Sequence, residues 1–199
     1  GELGEREIIM LPQRKPLTLY DLNEMDDDNR YELIDGELYL LAAPRPAHTI
    51  ISSSLLARIH NFLGKGPCQV FHAPADVFLF NQPEDSGDAI TTIVQPDLFV
   101  ICDPRQIGER GFFGPPKLAV EILSPSTAGM DRFVKYHQYQ RAGVEEYWIV
   151  DPKNKIVSIY PLTDGLYGAG EAFSSLQTLR SETFPGLEIP LQEIFPEGM

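Results

Sequence analysis

A chain of 199 residues, 43% hydrophobic and 10% aromatic, can fill the core of one domain without a disulfide framework or a metal staple. Its 16 Lys and Arg against 29 Asp and Glu leave a formal net charge of -13, which excludes a protein that coats duplex DNA by neutralising phosphates without sequence preference. Residues 1–100 carry 7 basic and 16 acidic side chains, residues 161–199 carry 1 and 6, and residues 101–160 carry 8 and 7, so any site for an anion is expected in the middle stretch.

Residues 1–16 read as a poorly specified lead-in and residues 17–199 as one domain. Thr18 is placed to cap a short helix to about residue 25, closed by the acidic turn 26–29. Strands over 31–34 and 37–40 flank Asp35-Gly36, a strong two-residue hairpin signal because a type I′ turn needs positive φ at both positions. Ile51, Leu55, Ile59 and Phe62 recur at helical spacing and predict an amphipathic helix over 47–63, stopped at Gly64.

Strands are expected over 68–71, 76–80, 97–102 and 118–123, with a polar loop at 81–92. The strands at 97–102 and 118–123 are nearly all apolar, as in a sheet covered on both faces. Ser124, Ser126 and Thr127 suit a cap for a helix over 128–142 better than a nucleophile, and a second hairpin follows at 147–150 and 156–160. The tail holds a weak strand near 188–190 and a last helical turn. Strands and helices alternate in one continuous pattern, so the fold class is α/β (α+β) with a mixed sheet flanked by helices.

The longest apolar run, residues 38–43, has six members against the roughly 20 needed to span a bilayer. With no signal-peptide pattern in the first twenty residues, a cytoplasmic protein without membrane contact is expected. Cys68 and Cys102 could form one bridge, but the expectation is a reduced, half-buried pair. The four histidines, His48, His60, His72 and His137, show no zinc spacing.

Chemistry is indicated where acidic residues interrupt apolar strands. Asp97 opens Asp-Leu-Phe-Val-Ile-Cys, and Glu121 is the one polar member of Leu-Ala-Val-Glu-Ile-Leu. A carboxylate in a buried strand is costly unless it is paired, hydrogen-bonded or bound to a metal. By alternation Leu118, Val120 and Ile122 share one face and Ala119, Glu121 and Leu123 the other, so Asp97 on an adjacent strand could converge with Glu121 at one sheet edge. Two such carboxylates with a backbone carbonyl suit Mg²⁺, with Mn²⁺ as a substitute; the bland alternatives are a buried Arg partner for Glu121 and a turn cap for Asp97.

The strings Arg-Tyr-Glu-Leu-Ile-Asp-Gly-Glu-Leu, Val-Gln-Pro-Asp-Leu-Phe-Val, Leu-Ala-Val-Glu-Ile-Leu-Ser-Pro-Ser-Thr and Asp-Arg-(x)2-Lys-(x)3-Tyr-(x)3-Gly-Val-(x)-Glu-Tyr-Trp-Ile-Val-Asp resemble the Uma-type restriction endonuclease family of bacteria. That family lies within the PD-(D/E)XK nuclease superfamily. The resemblance implies a restriction-endonuclease-like fold, Asp97 and Glu121 as metal ligands, the carbonyl of Ile122 as a third, and Glu32 as an additional acidic residue. Leu123 stands where the superfamily's simplest pattern has its lysine, and the resemblance implies that Lys135 on the next helix replaces it. Read by itself, Lys135 could form an ordinary exposed pair with Asp131 four residues earlier, and it also shares a face with Tyr139.

The leading expectation is a Mg²⁺-dependent endonuclease acting on DNA, for which a two-fold homodimer would suit cutting both strands. A catalytically inactive binding or assembly module of the same fold is the alternative. Hydrolysis of another phosphate ester would use the same residue types.

Overall fold

The computed structural model describes residues 14–198, and residues 1–13 of the expected lead-in lie outside them. A short helix α1 (Leu19–Asn23) is closed at its start by a capping box between Thr18 and Asp21. It precedes the hairpin of β1 (Arg30–Ile34) and β2 (Glu37–Leu41). Asp35 and Gly36 have φ of 48° and 79°, the pair of positive values the turn signal requires. Gly36 is also held by a close approach, since a Cβ there would lie 2.3 Å from that of Pro16.

Helix α2 (Pro46–Leu63) starts on a proline, whose fixed φ suits the first helical position, and ends at Gly64 with φ of 54°. It buries Ile51, Leu55 and Ile59, each worth roughly 1.5–3 kcal/mol of apolar transfer. The chain continues through β3 (Gln69–His72), β4 (Val77–Phe78), β5 (Leu98–Ile101), β6 (Phe112–Phe113), β7 (Leu118–Ile122), α3 (Lys135–Ala142), β8 (Glu146–Asp151), β9 (Ile156–Pro161), β10 (Glu171–Ser174), β11 (Thr178–Arg180) and β12 (Glu188–Pro190).

Six strands form one mixed sheet in the order β10-β9-β8-β7-β5-β3. Only β7 and β8 within it run parallel, joined by the crossover through α3. The predicted alternation along β7 holds. Leu118, Val120 and Ile122 pack with Ile51, Leu55 and Ile59 of α2 and with tail residues such as Leu187, Ile189 and Phe195. Ala119 and Leu123 pack on the opposite side with Tyr139 of α3, Tyr147 and Ile149.

Several expectations are corrected. The strand foreseen at 76–80 shrinks to β4, which pairs with β6 outside the main sheet. The helix expected over 128–142 is present, but it is interrupted by a π-helical turn at Met130–Val134 before it continues as α3 from Lys135. The tail holds three strands where one was anticipated, because β10 extends the sheet at β9 and β11 pairs with β12. Cys68 and Cys102, read as reduced thiols, form a disulfide. They stand opposite one another one step beyond the Gln69–Ile101 pair of β3 and β5, a proximity set by strand register.

Candidate active site

Strand pairing brings the two sheet carboxylates together. Leu98 of β5 stands opposite Val120 of β7, so Asp97, one residue earlier, faces the end of β7 where Glu121 sits. Asp97 Oδ2 accepts the backbone N–H of Ile122 at 2.7 Å. A strand residue points its N–H and C=O to the same side, so the Ile122 carbonyl opens toward Asp97 as well. The other carboxylate oxygen, Oδ1, lies 3.1 Å from Nε2 of His48.

Lys135 reaches this edge from the first residue of α3. Its Nζ is 2.5 Å from Glu121 Oε1, 2.8 Å from Glu32 Oε2 and 4.0 Å from Asp131 Oδ1. Glu32 is carried in by β1 and held by the backbone N–H of Gln95 at 3.0 Å. The hairpin itself is docked by backbone bonds between Leu33 and Ile93. Tyr139, one helical turn after Lys135, donates its hydroxyl to the same Glu121 Oε1 at 2.7 Å. Both donors use one oxygen, and among the described residues Oε2 of Glu121 has no hydrogen-bond donor.

Asp131 joins the group from the π-helical turn at 130–134. Asp131 and Lys135, four residues apart, share the inward face there and are both buried, so the alternative of an ordinary exposed ion pair is replaced by an interior one. Tyr147 fastens the turn by donating to the Asp131 carbonyl at 2.7 Å.

Three carboxylates, Glu32, Glu121 and Asp131, thus lie around one ammonium, and Asp97 stands beside Glu121 with His48 as its partner. Burial pushes the Glu121 carboxyl well above the usual carboxylate range, and repulsion from Asp131, Asp97 and Glu32 adds to this against the pull of Lys135. Burial, with Asp97 and Glu32 nearby, pushes Asp131 up to about 6. Burial alone would lower Lys135, but Glu121, Glu32 and Asp131 outweigh it and hold the amine well above its ordinary value. Lys135 is therefore an ammonium at neutral pH. It can donate hydrogen bonds and stabilise negative charge, and it cannot accept a proton.

The group floors a cavity of about 1160 Å³ between the β2–α2 connection, the segment after β3, the Ser124–Ala128 turn and the turn after β8. Among the described residues no three His, Cys, Asp or Glu side chains are gathered into a ready metal cage. The donor chemistry still fits a hard divalent cation. All the donors are oxygens, and the four carboxylates outnumber the Lys135 ammonium and the His48 ring beside Asp97.

The structure brings together Glu32, Asp97, Glu121, Ile122 and Lys135, all singled out in the sequence. It adds Asp131, Tyr139 and His48. His48 was set aside for lack of zinc spacing, yet it lies three residues before Ile51 on the stripe that continues to Leu55 and Ile59, and extending that stripe backward finds it. Glu32 is buried, where a glutamate beside a hairpin is ordinarily solvated.

Comparison with known proteins bears on this arrangement. A crystal structure described as "a putative nuclease belonging to DUF820" from Anabaena variabilis ATCC 29413 superposes with a TM-score of 0.70 at 19% identity, covering 90% of this chain and 98% of that one. The fold is thus a nuclease-like α+β fold with a six-stranded mixed sheet. The chain belongs to the Uma2 family, whose model, described as "Putative restriction endonuclease", matches residues 17–192. An uncharacterized protein of Synechocystis sp., slr1290, is 28% identical over 136 residues, 68% of this chain and 67% of that one.

Proposed function

We propose that this chain is a divalent-cation-dependent nuclease that hydrolyses phosphodiester bonds of DNA. The observation that carries the reading is the seat of Lys135, whose ammonium on a separate helix lies 2.5 Å from the one acidic residue of the buried strand β7. It restores in space the lysine that the strand itself lacks at Leu123.

Asp97, the free Oε2 of Glu121 and the Ile122 carbonyl would hold Mg²⁺ or Mn²⁺. That cation lowers the pKa of a bound water and offsets charge on the scissile phosphate. Asp97 is oriented by the Ile122 N–H and by His48, so its carboxylate is fixed before substrate arrives. Lys135 and Tyr139 clamp Oε1 of Glu121 and leave Oε2 toward the cavity. Lys135, permanently charged, donates to the attacking water or to the phosphoryl oxygen as negative charge builds there. Glu32 keeps the ammonium at the floor and desolvated.

The test is cleavage of plasmid, linear duplex and single-stranded DNA by the full chain with Mg²⁺ or Mn²⁺ and with EDTA. Asp97→Ala and Lys135→Ala are each expected to abolish cleavage with the circular dichroism spectrum retained. Cleavage surviving both changes would overturn the site.

A further inference from the structure

The depth of the floor and the character of the walls constrain which form of nucleic acid can reach it. This inference rests on the nuclease reading and deepens it. The side chains of Lys135, Glu121, Asp131 and Glu32 are only 2%, 4%, 5% and 6% exposed, and Asp97 no more than 17%. The way in is a cavity of about 1160 Å³ walled by four chain segments. Pockets of roughly 300–1,000 Å³ enclose one drug-sized ligand, so this cavity has room for about two or three nucleotides.

A duplex is a stiff rod with a persistence length of about 50 nm that carries its phosphates on its outer surface. Such a rod meets the rim of the four walls first and must deform to lower a phosphate onto the floor. A single strand can bend into it. The walls are suited to a backbone: Arg45, Lys153 and Arg132 line the mouth as exposed cations, Arg132 also reaching Asp151 at 3.1 Å, and hydroxyls of Thr49, Ser52 and Ser126 line the sides. Arginine, lysine and hydroxyl side chains are the usual donors to phosphate and sugar oxygens. In a chain of net charge -13 these exposed cations line the cavity that holds the carboxylates, so an entering strand meets positive charge first.

We infer that the cavity takes a single polynucleotide strand, a flexible strand or a frayed end, with Arg45 and Lys153 gripping phosphates at its mouth. The experiment measures binding of dye-labelled 12-nucleotide single-stranded DNA, single-stranded RNA and the matching duplex by fluorescence anisotropy in Ca²⁺. Cleavage in Mg²⁺ and Mn²⁺ is followed on gels alongside.

At least one single strand is expected to bind ten-fold or more tightly than the duplex. The exposed-site double variant Arg45→Glu, Lys153→Glu should lose ten-fold or more of that affinity, and its plot of log affinity against log salt should flatten by about 1.4, at about 0.7 per phosphate contact. Duplex binding as tight as single-strand binding, or a double variant with unchanged affinity, overturns the inference and leaves the nuclease reading standing. Strand-selective binding lost in the double variant, with no cleavage of any substrate, supports the inference while overturning the proposed activity. Absence of binding to all three overturns the inference.

Discussion

Glu146 opens β8 and Glu121 lies near the end of β7, its parallel neighbour, and both side chains are buried. Their surroundings differ completely. Glu146 accepts four neutral hydrogen bonds: Oε2 from the Trp148 indole and the Ser181 hydroxyl, both at 2.7 Å, and Oε1 from the backbone N–H groups of Glu182 and Thr183 at 2.8 and 3.1 Å. Every lone pair has a use, and the bonds tie the C-terminal segment to the sheet. Glu121 has two donors crowded on one oxygen, a free oxygen toward a cavity, and three other carboxylates close by. A satisfied buried carboxylate builds structure; one left short of positive charge at a cavity floor is equipped to bind a cation.

Conservative amide substitution at the two positions should separate these roles most sharply. Glu121→Gln is expected to lower kcat on DNA by on the order of 10²–10³ while moving stability by under about 1 kcal/mol, because burial and three neighbouring carboxylates oppose the charge that Lys135 favours there. Glu146→Gln should do the reverse. It turns an amide NH₂ against existing donors and costs about 2–4 kcal/mol in urea unfolding, with turnover per folded molecule retained. Equal stability losses at the two sites would break the contrast.

Cation binding should appear as stabilisation confined to one of them. At a Mg²⁺ or Mn²⁺ concentration of about 100 times Kd, thermal melting of the wild type should gain about 2.7 kcal/mol. Glu146→Gln should keep the gain, and Asp97→Ala and Glu121→Gln should lose it.

The pH dependence is smaller and has a definite sign. Asp131 titrates at about 6 in the folded chain against an ordinary value of 3.8. Between those values the unfolded chain has released a proton that the folded chain keeps, so stability in EDTA falls as pH rises from about 4 to about 6 and levels off above. The loss is on the order of 1–3 kcal/mol. Asp131→Asn should flatten that part of the profile relative to wild type, as read by chemical unfolding at pH 4.5 and 7.5. The smallest effect is expected at Tyr139→Phe, which removes one of the two donors on Glu121 Oε1 and should cost about 1 kcal/mol of stability with a several-fold drop in kcat/KM.

Legibility followed the range of the interactions involved. The Asp35-Gly36 hairpin, the α2 stripe and the alternation along β7 are local patterns, and each is present where its residues place it. Glu121 was conspicuous because every neighbour in its strand is apolar. Glu146 was not, since it follows Glu145 at a strand start and its four donors come from two residues on and from 35 to 37 residues downstream. Asp131 was read only as a candidate exposed partner of Lys135, because local spacing shows that the two share a face and not which way that face points. The tail strands escaped because their apolar positions are sparse, and the disulfide because the thiols are 34 residues apart.

By itself the sequence determined the periodicities, the turn chemistry, the family motifs and the fact that a carboxylate is buried in β7. These follow from side-chain volume, backbone freedom and the cost of desolvating charge. Only the tertiary structure decided that Glu32, from 103 residues away, and Lys135 share one hydrogen bond, that Asp97 faces the end of β7, and that a single ammonium serves three carboxylates. Those outcomes depend on strand register and helix docking, and register is set by how whole faces bury together rather than by any local run of residues.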